Sequence, residues 1–414
     1  MSNTTLKYEP KIKSNQLTML FVLISLFLFS GSFSTYFEKF TFTSLIILFV
    51  HLVIILTSVV NIQPIFWNFK KIKVLFLLLI IIVLSIIWSE NPNTSFYKVV
   101  QLISTTLLAI QVTLRYKLND FLKRFELFLW AIVFLSIFYI VFFPSIGIEN
   151  GYHQGSWKGI FGQKNTFGII LMFLLTIRVS KIISNKRKLN MLNFLLIPLL
   201  IFFIVKTGSS TALVISVLIF FVAIFVILFK VLSRIVIASV IAISFSIVGA
   251  LYLVIEALNL KGNLLNILGR DSTLTGRTAI WDTIQNVFIA EKPLLGYGFG
   301  LFWSSNSPYV YQFQEIIKFK TITSHNGYLD LVLDIGLLGA ALVIILFISS
   351  IIKTFSLFYK YKYNFNVLWI GLFMISLIIY NFSESMILKE NSLYWFLIVL
   401  IINYLGRNEI DDKA

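Results

Sequence analysis

Cysteine is absent from all 414 residues, which removes disulfides, thiol nucleophiles and thiolate metal sites together. Charge is scarce as well. Only 13% of the residues are Asp, Glu, Lys or Arg against 58% hydrophobic ones, too few to cover an ordinary soluble surface, so the chain reads as a polytopic membrane protein. Also missing are a phosphate loop of the nucleotide-binding type, the histidine and carboxylate spacing of zinc enzymes, and a dense acidic cluster for a divalent ion. A metal-independent site without a cofactor is therefore expected. No internal repeat or low-complexity tract stands out beyond the apolar runs, which weighs against a transporter built from duplicated halves.

Acidic residues are the scarcer sign: 18 against 34 basic ones, a net charge of +16. The basic residues fall in short clusters between apolar runs and form no continuous face, so they read as topology signals and not as a nucleic-acid surface.

What is abundant is apolar sequence in runs of the length that crosses a hydrocarbon core as helix. These lie near 16–34, 41–62, 73–89, 97–114, 126–143, 165–180, 189–206, 209–229, 233–255, 328–351, 364–381 and 391–405. The expected fold is thus all-α, with about 12 transmembrane helices. Barrel strands are excluded because the runs lack alternation. The first run has no convincing small-residue cleavage site after it and is expected to be a retained helix.

Starting with the N-terminus inside, the inner connections collect Lys70, Lys71 and Lys73; Arg115, Lys117, Lys123 and Arg124; Arg178, Lys181, Lys186, Arg187 and Lys188; Lys230 and Arg234; and Lys353, Lys360 and Lys362. The short outer segments hold only Lys39, Lys98, Lys158, Lys164, Lys206 and Lys389. This asymmetry puts both termini in the cytoplasm. The weakest boundary is 206–210, where two runs nearly merge and a re-entrant break is the other reading. The division that follows is 1–255 for the first nine helices, 256–327 for a long external catalytic loop, and 328–414 for the last three helices and a cytoplasmic tail.

Two outer segments exceed what connection requires, 144–164 and 256–324, and long loops in compact proteins tend to carry function. In the second, Thr275 is a plausible N-cap for a helix reaching about Ala290. Ile280, Trp281, Ile284, Val287 and Phe288 share one face and Asp282, Gln285 and Asn286 the other, with Pro293 and Gly296 ending it. Such a helix is expected to lie along the membrane surface.

Arg277 falls in its first turn, where a cation opposes the helix dipole at a cost of about 0.3–1 kcal/mol. Either an anion such as phosphate binds there or the side chain snorkels to lipid headgroups. Lys164, at the start of the sixth run, repeats the placement and leaves the same two readings. His325 lies at the outer start of the tenth run, where the dipole favours a neutral ring. It is a candidate general base or a hydroxyl-orienting group, the alternative being a cap or interface residue. Asp330 and Asp334 follow one turn apart on the same run, near enough to the hydrocarbon to call for polar surroundings. Lys206, Ser209 and Ser210 stand at the break between runs seven and eight, Glu384 lies just past run eleven, and His51 in run two reads as a hydrogen-bonded packing residue.

Taken together, Gly162-Gln163-Lys164-Asn165, Leu274-Thr275-Gly276-Arg277-Thr278 with Trp281, the stretch from Pro293 to Gly300, and Ser324-His325-Asn326 leading to Asp334-Ile335-Gly336-Leu337-Leu338-Gly339 resemble the O-antigen ligase and polymerase family of bacterial envelope glycosyltransferases. The resemblance is most specific over 160–340. It implies transfer of a glycan from an undecaprenyl-diphosphate carrier to an acceptor sugar at the outer face of the bacterial inner membrane. The enzyme would be either a polysaccharide polymerase, the preferred reading, or a ligase using lipid A core as acceptor. A flippase or transporter of lipid-linked sugar is the alternative from another class.

By motif, Arg277 would bind the diphosphate with help from Lys164, and His325 would activate or orient the acceptor hydroxyl. Asn165, Trp281, Tyr297, Ser324, Asn326, Asp330 and Asp334 would support the site. Family members often carry a Ser-Arg pair at the start of span eight; Ser209-Ser210 lacks the arginine, and Lys206 or Arg270 would have to replace it. Membrane lipids and a chain-length regulator are further expected partners.

Overall fold

The computed structural model describes residues 12–13, 15–32, 41–184, 191–231, 277–318, 320–361 and 363–407. The expected ninth run, Thr275 and Arg270 lie outside these residues. Among them the regular structure is all helical, with only two isolated β-bridges, Ser32 with Phe161 and Ile148 with Trp157.

The helices are α1 (Gln16–Phe29), α2 (Thr41–Val60), α3 (Ile62–Phe69), α4 (Lys73–Trp88), α5 (Pro92–Arg115), α6 (Leu118–Phe142), α7 (Lys164–Ser184), α8 (Met191–Thr207) and α9 (Ser210–Val231). After the outer loop, with α10 (Arg277–Thr283) and α11 (Pro308–Ile317), come α12 (Gly327–Tyr361), α13 (Phe365–Tyr380) and α14 (Leu393–Arg407). Every expected apolar run within the described residues falls on a helix. Among the described residues six helices are long and apolar enough to cross a membrane, seven if α3 and α4, bent by 106° to one another, form one broken span. The apolar parts of α1, α8, α13 and α14 are shorter than that, so the chain is a multi-pass membrane protein with six or seven such spans among the described residues, against the twelve expected.

Local chemistry sets several boundaries away from the expected ones. α1 stops at Phe29, five residues early, because Gly31 turns the chain at φ 75° and the Ser30 and Ser32 hydroxyls bond each other at 2.6 Å. α5 begins five residues before the apolar run. Asn91 accepts a hydrogen bond from the Thr94 N–H as N-cap, and Pro92 takes the position where a missing N–H costs nothing.

In the bundle α7 packs against α8, α9 and α13, while α14 runs along α5. A Cβ on Gly168 of α7 would come within 3.1 Å of the Ala212 side chain of α9 and 3.2 Å of Ser209 just ahead of it, a tighter fit than side chains ordinarily make, so the bare glycine gives the two helices their room. His51 on α2 hydrogen-bonds Ser104 on α5 at 2.9 Å and stacks on Phe29, a packing residue as expected. On α6 and α7, Glu126 pairs with both Arg178, at 2.8 Å, and Lys181, the arrangement buried charge requires.

The outer loop carries a small core of its own. Ile280, Ile284 and Phe288 pack with Tyr297, Leu301, Phe302, Tyr309, Phe313 and, from α12, Leu333. This departs from the expectation for the amphipathic helix. Ile280, Ile284 and Phe288 of its apolar face are covered by protein, with Trp281 packed against them, while Val287 of the same expected face stays exposed; α10 also passes at Ile284–Ile289 into a π-helical turn. The physical reason is local: the aromatics of 297–313 supply the apolar partner that membrane would otherwise provide.

This loop is fastened to α12 by backbone. Gly336 sits inside α12 at φ 66° and ψ −175°, a conformation open essentially to glycine alone. The resulting break frees backbone groups that the loop then satisfies. Leu337 N donates to Pro293 O at 2.8 Å and Leu338 N to Leu294 O at 3.3 Å, while Tyr297 N donates to Leu333 O at 2.7 Å and Gly298 N to Asp334 O at 3.1 Å. A Cβ on Gly336 would collide with the Leu294 carbonyl, and one on Gly296 would come within 2.6 Å of the Leu333 carbonyl. The two glycine-bearing motifs therefore need each other.

Candidate active site

Five stretches that are distant in sequence meet at the end of the bundle where the loop is seated: the starts of α7, α9, α10 and α12, and the turn after α13. Their meeting point is a carboxylate, Glu384, whose side chain is 9% exposed.

Asn165, in the first turn of α7, donates from Nδ2 to Glu384 Oε1 at 2.7 Å. Arg277, first residue of α10, donates from Nη1 to the Ser383 carbonyl at 3.1 Å and holds Nη2 3.9 Å from Glu384 Oε1. His325, just ahead of α12, places Nδ1 3.8 Å from Glu384 Oε2. Thr211 of α9 joins through its hydroxyl, 2.9 Å from that of Ser383.

Lys164 is tied in from the other side. Its Nζ donates to the carbonyl of Gly208 at 3.2 Å, in the break between α8 and α9, where Gly208 adopts φ 59°. Its backbone N–H donates to Glu149 Oε1 at 2.7 Å. The two cations set against helix dipoles thus each have a carboxylate of the chain nearby, Glu149 for Lys164 and Glu384 for Arg277. An incoming anion has to share or displace these contacts.

His325 is held in strained backbone, φ 53°, which few non-glycine residues adopt without compensation. The compensation is dense. Its N–H donates to Thr323 Oγ1 at 3.2 Å, the Thr323 hydroxyl donates to Asp330 Oδ2 at 3.2 Å, and Ser324 N donates to Asp330 Oδ1 at 3.3 Å. Two indoles brace the same turn: Trp281 Nε1 donates to Ser324 O at 2.9 Å and Trp303 Nε1 to Asp330 Oδ1 at 2.7 Å. Asn326 is the cap of α12, accepting at Oδ1 from Tyr328 N and Leu329 N at 3.0 and 3.3 Å. His325 is consequently free of the capping role that was its alternative.

The remaining expected residues sit farther from this point. Asp334 Oδ1 accepts from Gly300 N at 3.1 Å, pinning the glycine-rich turn. Tyr297 is buried in the loop core, donating to Phe288 O at 2.9 Å, and burial together with Glu291 raises its pKa well above the ordinary tyrosine value. Lys206 is exposed at the end of α8, its ammonium 5.6 Å from the ring centre of Phe202 and 6.0 Å from that of Trp157. It is Lys164 and not Lys206 that touches the α8–α9 break, and no contact brings Lys206 to Glu384.

Glu384 itself was visible in the sequence without an assigned role. A lone glutamate past a helix end carries no pattern, and only its distance-independent partners Asn165, Arg277 and His325 reveal it. Among the described residues no three His, Asp or Glu side chains gather in a group suited to a metal ion. For an anion the site offers a guanidinium and an ammonium; for a hydroxyl it offers an imidazole.

Comparison with known proteins adds a family to this geometry. A family model described as O-Antigen ligase matches residues 194–344, a stretch that holds Lys206, Arg277 and His325 but neither Asn165 nor Glu384. No curated protein matches the chain.

Proposed function

We infer that the chain, matched over 194–344 by the O-Antigen ligase family model, belongs to the O-antigen ligase/polymerase family and shares its glycosyltransferase type of enzyme and its glycan-transfer role in O-antigen assembly. From that premise we propose that it moves a glycan from an undecaprenyl-diphosphate carrier to an acceptor sugar at the outer face of the bacterial inner membrane, as a polysaccharide polymerase. The observation that carries this reading is the meeting of Arg277, His325 and the start of α7 around one buried carboxylate.

In the reaction the acceptor oxygen bonds the anomeric carbon while the bond from that carbon to the carrier phosphate breaks. The electron pair leaves with undecaprenyl diphosphate. Arg277 and Lys164 stand where they can meet the charge of that leaving group, the contribution of a preorganised cationic site. His325 takes or orients the acceptor hydroxyl proton. The function needs no metal, because these cations fill the role a metal would otherwise have. Lys206 or Arg270 would serve the diphosphate in place of the arginine missing after Ser209.

The test is reconstitution in vesicles with the lipid-linked repeat unit, following release of undecaprenyl diphosphate and growth of glycan. Wild type should build a ladder, and Arg277→Ala and His325→Ala should lose it by about 10²-fold or more. Transfer of a single block to lipid A core identifies a ligase. Passage of intact donor across the bilayer with no new glycosidic bond overturns the enzyme reading in favour of a transporter.

A further inference from the structure

Glu384 is held more tightly than the groups it faces. Asn165 Nδ2 lies 2.7 Å from Oε1, within hydrogen-bond distance, whereas Arg277 and His325 stand off at 3.9 and 3.8 Å. The carboxylate is fixed by α7 and buried to 9% exposure, while Arg277 and His325 keep 26% and 35% of their side-chain surface. The charged or titratable groups facing it are Arg277 from α10, His325 from the start of α12, Tyr380 at the end of α13 and Tyr394 from α14. His325 Nδ1 is buried and has no hydrogen-bond partner. The carboxylate thus stands beside Nδ1, and the ring, which keeps 35% of its side-chain surface, has Nε2 to offer an acceptor hydroxyl.

We infer that Glu384 is a positioning residue shared between the two halves of the reaction: it orients His325 for the acceptor proton, and it gives up its hold on Arg277 when the donor diphosphate binds. This rests on the glycan-transfer reading above. A diphosphate is a stronger partner for a guanidinium than a carboxylate 3.9 Å away, since phosphate oxygens can take bidentate hydrogen bonds. Arg277 remains anchored through Nη1 to Ser383, so only Nη2 has to change partner. Once it does, the Glu384 charge is answered by His325 alone, which supports the ring as it accepts a proton from the acceptor. As the proton passes from the acceptor hydroxyl to Nε2, the acceptor oxygen bonds the anomeric carbon and the carbon–oxygen bond to the diphosphate breaks toward the carrier. Donor binding thereby prepares the base, and productive order is donor first.

The experiment is a double-substitution cycle in the reconstituted protein with Glu384→Gln, His325→Ala and the pair together. Binding of undecaprenyl diphosphate is measured beside kcat. Glutamine keeps the shape and the Asn165 hydrogen bond, so its effect reports charge. Glu384→Gln should bind undecaprenyl diphosphate as tightly as wild type or up to about 10-fold tighter, because Arg277 no longer has a competing carboxylate, and should lower kcat by about 10²-fold. In the pair, kcat should fall no further than in His325→Ala alone, because groups acting as one unit are non-additive. Losses that multiply, or donor binding weakened in Glu384→Gln as in Arg277→Ala, overturn the inference while a wild type that builds glycan leaves the transfer reading standing. A wild type that binds donor and forms no glycosidic bond overturns both.

Discussion

At the scale of the residue, Lys164 poses the plainest question of cost. A cation in the first turn of a helix is unfavourable, and Glu149 answers it only in part, accepting the Lys164 backbone N–H while the ammonium reaches to the Gly208 carbonyl. If that ammonium serves the donor, Lys164→Ala should weaken binding of undecaprenyl diphosphate by about 10-fold or more, the worth of a charge-assisted hydrogen bond, with kcat less affected. A purely structural lysine would instead show as a lowered Tm at unchanged affinity. Glu390 makes a pH prediction at the same scale. Burial pushes its carboxyl upward, but Lys389 and Lys98, the latter at 3.2 Å, outweigh it and hold the pKa below the ordinary carboxylate value. A depressed folded pKa contributes stability that is present above the unfolded value of about 4.3 and is lost as pH falls through the folded value. Thermal unfolding of detergent-solubilised wild type should therefore show a decline in Tm below about pH 4.3 that is shallower in Glu390→Gln. Equal slopes in the two proteins would remove Glu390 from the account.

At the scale of the element, α12 shows what a sequence can and cannot disclose. Its apolar run and its start near His325 were legible, because a span in lipid must close its own hydrogen bonds and announces itself by length. The break at Gly336 was not, since a single glycine in an apolar run has many meanings until the backbone of 293–298 is laid against it. The same holds for α10, where periodicity picked out Ile280, Ile284 and Phe288 as a common face but could not say whether lipid or the aromatics of 297–313 cover it. Glu384 was illegible for the related reason that its partners lie 219, 107 and 59 positions away along the chain. Gly336→Ala tests the break directly. The φ of 66° and the clash with Leu294 should cost about 3 kcal/mol or more, unseating the loop from α12. Protease cleavage within 293–318 should accelerate and glycan transfer should be lost, whereas Gly371→Ala, whose added methyl meets Thr354 Cγ2 at 3.6 Å, an ordinary contact, should leave both unchanged.

At the scale of the whole molecule, the proposal depends on which way the bundle faces, and the chain offers an unusually direct way to ask. With no native cysteine, any single introduced thiol is the sole target for a maleimide. The charge asymmetry places 117–124, the turn after α5 and the first turns of α6, inside and the loop 277–318 outside. Lys123 and Ser305 are both exposed in the structure, so burial does not confound access. In intact cells or right-side-out vesicles, Ser305→Cys should react with a membrane-impermeant maleimide, and Lys123→Cys should react only after permeabilisation. That result would set Arg277, Lys164 and His325 on the side where a lipid-linked glycan has already been delivered, consistent with a site that draws on no cytoplasmic nucleotide. The reverse pattern would put the same residues in the cytoplasm and remove the outer-face reaction altogether. Labelling of both positions from outside would mean an even number of crossings between 123 and 305, and the short helix α8 would be the first to reconsider. Its apolar part has only 13 residues, Leu195–Thr207, and at about 1.5 Å per residue it falls short of a hydrocarbon core of about 30 Å unless the break at Gly208 returns the chain to the same face.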